Sequence, residues 1–162
     1  MDIGLFYGLF SAICFTLVGL WWSVVERRAD VRTDPRARRD AGAIYLTFLL
    51  PALMGLFAQI GGLDSPMFWR VSFVVIALIG VASMVRIALG EGSQRRGRTG
   101  LRWVLVGLYA VVALIGAAPT LVAGLGVTAL QVEAALLVLL VATGHGLVWD
   151  AVLHNQREPG TG

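Results

Sequence analysis

Five long apolar stretches separated by arginine clusters dominate this 162-residue chain. An unbroken hydrophobic run of about 20 residues matches a hydrocarbon core roughly 30 Å thick at 1.5 Å per helical residue. The sequence therefore predicts an all-α, polytopic membrane protein built as a five-transmembrane-helix bundle. The expected spans are 3–25, 35–63, 66–90, 103–124 and 129–154 within a single domain covering 1–162. With 57% hydrophobic and 14% charged residues the composition lies outside that of ordinary soluble domains.

All 13 basic residues are arginine, and the formal charge is +3. In a soluble chain that balance would suggest nucleic acid. Here 11 of the 13 fall in the segments 26–34 and 91–102, in the flank of the second span, or in the C-terminal tail. Anionic lipid headgroups are the expected counter-charge, and no nucleic-acid partner is expected. The turns on the opposite side carry no arginine, so the positive-inside bias predicts an outside N-terminus and a cytoplasmic C-terminus in a bacterial-type inner membrane. Met1-Asp2 offers no positive n-region, and an arginine cluster follows the first apolar run, the charge order of a retained anchor rather than a cleaved signal. An alternative that merges 103–152 into one crossing plus a re-entrant segment would put Asp150 and His154 outside.

Helix punctuation is legible. Asp34-Pro35 and Ser65-Pro66 are cap-then-proline starts, and Thr128 with Gln131 fits a capping box. Pro51 removes the bond to the Thr47 carbonyl, which predicts a kink and gives the Thr47 hydroxyl a role in re-satisfying the backbone. Pro119 is expected to bend or stop the fourth span. Trp21, Trp22, Trp103 and Trp149 are expected as anchors at the inner interface and Trp69 at the outer one.

Ionisable residues inside a span are costly and are therefore functional candidates. They concentrate in the third and fifth spans as Arg70, Arg86, Glu133, His145 and Asp150. Arg70 and Glu133 are each fifth from their cap, which makes them a candidate outer ion pair. Arg86, His145 and Asp150 form a candidate intramembrane polar site nearer the arginine-rich side. The angular spacings oppose one flat interface holding both pairs, because 16 and 17 residues turn a straight helix by about 160° and about 260°. Snorkelling and helix-end stabilisation compete with a permeation role for these residues. His145, between Gly144 and Gly146, is open to two readings, a proton relay or a neutral ring bonded to a neighbouring helix.

Both histidines occupy the fifth span, so one chain cannot offer bis-histidine haem ligation. Cys14 is a lone cysteine. No zinc-protease, phosphate-loop or nucleophile-elbow motif is present, so no catalytic, cofactor-binding or metal-binding residue and no cofactor are expected. Gly4, Gly8 and Ala12 give the first span a candidate helix-packing face. Together these features predict a non-enzymatic membrane protein that acts by association, as an accessory subunit or self-associating scaffold, either as a homo-oligomer or with a membrane-protein partner. A small channel or proton-coupled transporter, with the third and fifth spans lining the path, is the alternative.

Overall fold

The computed structural model describes residues 2–61, 65–89 and 96–155. Among them the secondary structure is entirely helical: α1 (Ile3–Glu26), α2 (Ala29–Thr33), α3 (Pro35–Gly61), α4 (Pro66–Leu89), α5 (Arg96–Ala117), a 3₁₀ helix (Pro119–Leu125) and α6 (Ala129–Asn155). Five of these helices, α1, α3, α4, α5 and α6, are long and apolar enough to cross a membrane. The expected turn at 62–64, the second arginine-rich loop over 91–95 and the tail beyond 155 lie outside the described residues.

Local chemistry explains most of the boundaries. The Asp2 carboxylate caps α1 by accepting from the Gly4 and Leu5 amides. Asp34 accepts from the Arg36 amide at 2.8 Å, so the cap-then-proline signal starts α3. At α6 the capping box is complete, with Thr128 N–H donating to Gln131 Oε1 at 2.8 Å and Gln131 N–H donating to Thr128 Oγ1 at 3.3 Å.

Three sequence expectations change. The segment 26–34 is not simply a loop but contains the short α2, clamped by Arg28 Nη2 on Asp30 Oδ2 at 2.6 Å. The Arg28 guanidinium holds the Asp30 carboxyl below the ordinary aspartate range. Second, α5 starts at Arg96 rather than Trp103 and ends at Ala117 rather than 124. Arginine is a good helix former, so the helix extends into the basic segment. At the other end Pro119 forces its predecessor out of the helical region, and Ala118 sits at φ −131, ψ 71. The chain then runs as a 3₁₀ helix to Gly126, whose φ of 69 suits a residue without Cβ. Third, within α3, a single helix from Pro35 to Gly61 that contains Pro51, the Thr47 hydroxyl does not take the expected role. The buried Thr47 hydroxyl reaches back to the Ile44 carbonyl at 2.6 Å and the Ala43 carbonyl at 3.3 Å, not to the carbonyl that Pro51 leaves unbonded.

Packing centres on α3, the most buried of the spans, which touches α1, α4 and α6. α5 packs on α4 and α6 from the other side, so α3 and α5 lie between α4 and α6. Glycines set the close approaches. A Cβ at Gly80 on α4 would lie 2.7 Å from the Tyr109 ring of α5, and one at Gly144 on α6 would lie 3.2 Å from Thr47 Cβ of α3. At Gly55 on α3 a Cβ would lie 3.3 Å from the Tyr7 carbonyl of α1. One end of the bundle gathers Glu26, Pro35, Leu89, Arg96 and Asn155 and is arginine-rich. The opposite, arginine-poor end gathers Ile3, Gly61, Pro66, Ala117 and Ala129.

Candidate functional site

An ionisable side chain is buried at both ends of the bundle, in opposite ways. At the arginine-rich end Arg102 of α5 is only 2% exposed, and its Nη2 lies 2.8 Å from Asp40 Oδ1 of α3. Arg102 is the last arginine before one apolar run, and Asp40 is the last acid before another. Its long stem carries the head group along the bundle toward that boundary carboxylate. A space of about 10 Å³, the size of one water, is lined by Asp40, Ala43, Ile44, Arg102 and Leu147. Beside it Trp21 Nε1 donates to the Ala41 carbonyl at 3.0 Å.

At the arginine-poor end Glu133 of α6 is fully buried, and neither carboxyl oxygen has a hydrogen-bond partner. Its neighbour across the seam is Tyr7 of α1, also buried, whose hydroxyl donates to the Leu130 carbonyl one turn earlier on α6 at 2.7 Å. Deeper in the core, the Tyr109 hydroxyl is also buried without a partner.

The expected outer ion pair does not form. Arg70 turns to the end of α5, where Nε donates to the Gly116 carbonyl at 3.0 Å and Nη2 to the Ala117 carbonyl at 2.9 Å. Because Pro119 stops α5 there, those carbonyls have no further helical turn to bond to, and the cation satisfies them. Equal depth brought Arg70 and Glu133 to the same level but on helices that do not pack against one another. Trp69, expected as an outer anchor, is buried against Phe73 with ring centroids 5.6 Å apart.

Nor do Arg86, His145 and Asp150 converge within one chain. Arg86 is exposed in the last turn of α4, Asp150 is half-buried on α6, and α3 and α5 lie between those two helices. The side chain of His154 lies outside the described residues. Of the glycine face, Gly8 faces Gln59 of α3, where a Cβ would lie 2.6 Å from Nε2. Gly4 meets only its own Asp2 cap, and Ala12 is exposed.

His145 instead faces outward. Its Nδ1 lies 2.9 Å from the Val141 carbonyl, and its ring packs edge-on against Phe48 at 5.2 Å. A carbonyl only accepts, so Nδ1 is the donor of that bond, which leaves Nε2 without a partner on its own helix. Gln131, Ala135, Val138, Ala142, His145, Trp149 and Val152 are all exposed, at alternating spacings of four and three along α6. This is a heptad stripe containing two alanines and three hydrogen-bonding side chains, Gln131, His145 and Trp149.

Among the described residues no three His, Cys, Asp or Glu side chains come together as a metal site. Cys14 is buried and free. Comparison with protein-family models, with curated proteins and with solved structures yields no match.

Proposed function

We propose that the protein is a non-enzymatic, self-associating scaffold or assembly subunit of a bacterial-type inner membrane, with its N-terminus outside and its C-terminus in the cytoplasm. The stripe on α6 is the association seam. His145 carries this reading, as an exposed imidazole within an apolar span, with one ring nitrogen satisfied by its own helix. Lipid tails offer Nε2 no donor, whereas a neighbouring helix can. Ala135 and Ala142 flank it at spacings that let a second backbone approach, and a polar residue at such a seam fixes register.

The membrane surface supplies the second set of contacts. Arg27, Arg32, Arg36 and Arg39 are exposed around α2, and Trp22, Trp103 and Trp149 are exposed at the same end of the bundle. That pairing of cations with amphipathic rings suits an anionic headgroup layer. Arg86, His145 and Asp150 are spread over separate faces of one chain, so a single copy offers them no common path, which favours association over transport.

Subunit counting by photobleaching of the full chain in lipid nanodiscs tests this reading. The wild type should show two or more copies per particle, and His145→Leu should shift the population toward single copies. A wild type that is single throughout would overturn it.

A further inference from the structure

Glu133 is the acid that the association reading leaves unused, and its surroundings specify what it binds. The side chain is fully buried, and both oxygens lack a donor. An ionised carboxylate in an apolar interior without hydrogen bonds is among the costliest arrangements a fold can hold, whereas the neutral acid leaves only ordinary dipoles unsatisfied. Among the described residues the packing elements supply no compensating cation. From α4 comes Arg70, whose guanidinium is committed to the Gly116 and Ala117 carbonyls. α3 has no ionisable side chain between Tyr45 and Gly61, and α5 offers Tyr109, whose hydroxyl has no partner of its own. On α1 the ionisable side chains are Tyr7, the deeper, buried Cys14 and, at the opposite end, Glu26, while the exposed cap residue Asp2 accepts from the Gly4 and Leu5 amides. On α6 itself His145 and Asp150 lie three turns or more away toward the other end.

We propose that Glu133 is a proton-binding site: its carboxyl carries a proton in the resting bundle, and loss of that proton draws the Tyr7 hydroxyl from the Leu130 carbonyl to the carboxylate. The Glu133 O–H bond breaks and its proton passes to water at the arginine-poor face. That face is close, because Glu133 is four residues into α6, about 6 Å at 1.5 Å per residue. The Tyr7 O–H stays intact and changes acceptor. Because that hydroxyl bridges α1 to α6, protonation of one carboxyl controls whether the two helices are joined through the α6 backbone or through a side chain. The same seam is otherwise lightly packed and carries an apolar groove of about 170 Å³ lined by Ile3, Phe6, Gln131, Ala134, Ala135 and Val138. The inference does not depend on association along the outer stripe of α6.

Infrared spectroscopy of the full chain in lipid vesicles tests it, using glutamate labelled with ¹³C at the side-chain carboxyl. Of the other glutamates, Glu26 is exposed at the last residue of α1, and Glu91 and Glu158 fall in polar stretches of the sequence, so at neutral pH a label-sensitive carboxylic-acid C=O band reports Glu133. The band should be present at neutral pH, vanish as pH is raised and be missing from Glu133→Gln. As it vanishes, the tyrosine C–O stretch should shift in the wild type and not in Tyr7→Phe. A folded wild type without the label-sensitive band would overturn the proton site, and this result needs no variant. A band that vanishes with no tyrosine response would overturn the hand-over by Tyr7.

Discussion

The two ends of the bundle bury a charge-bearing group under different rules. Arg102 is buried with a carboxylate from another helix within 2.8 Å, whereas Glu133 is buried with neither oxygen bonded. Arginine cannot discard its charge, so a sequence that places it in a core must also place an anion there. Glutamate can bind a proton instead, so it can stand alone. One end therefore holds a fixed ion pair that ties α3 to α5, and the other holds a group whose charge is conditional.

Removing one partner from each end breaks or sharpens that contrast most strongly. Asp40→Ala should destabilise the bundle by about 3 kcal/mol, because it strips a partner from a buried cation. Glu133→Gln, which substitutes a neutral amide where a neutral acid is proposed, should change stability by less than about 1 kcal/mol. Equilibrium unfolding of both variants in lipid or mixed micelles measures the difference. Equal losses would erase the distinction between the two ends.

Arg70 makes an intermediate case, a cation held by backbone carbonyls rather than by a carboxylate. Arg70→Met should cost about 1 kcal/mol, since it leaves the end of α5 uncapped but strands no charge. Protection of the α5 amides near Gly116 against hydrogen exchange should fall, while that near Arg102 should not. A smaller effect still belongs to Arg28 and Asp30, an ion pair on the surface. The folded-state value of Asp30 is depressed by the guanidinium, so its contribution is complete above the unfolded aspartate value of about 3.9 and is lost as pH falls through the lower folded value. Acid titration should release α2 at a pH that Asp30→Asn abolishes, with little change in the spans.

The spans and caps were legible because they depend on local chemistry. Run length, Asp34-Pro35 and Thr128 with Gln131 act within a few residues of themselves. The ion-pair expectation failed because depth along a helix can be counted from its cap, while azimuth and neighbour order cannot. Arg70 and Glu133 share a level but not a contact. Counting would have found Tyr7, fifth in α1 as Glu133 is fifth in α6, had neutral residues been included. Asp40 and Arg102 carried a signal at the margins of their apolar runs, but Asp40 lies in the polar flank of the second span and Arg102 at the end of the segment 91–102, outside the apolar runs in which ionisable residues were sought. The exposed stripe on α6 emerged only once packing had shown which face of that helix stays uncovered.

Disulfide cross-linking in native membranes tests that stripe most directly, with single cysteines placed along α6 from 131 to 152 in a Cys14→Ser chain. Cross-linked dimers should peak at 135, 138, 142, 145 and 149 and fall between them, while cysteines on the outward face of α4, such as Val75→Cys, should stay monomeric. A flat profile along α6, or cross-linking at Val75→Cys equal to that at Ala142→Cys, would contradict association through this helix.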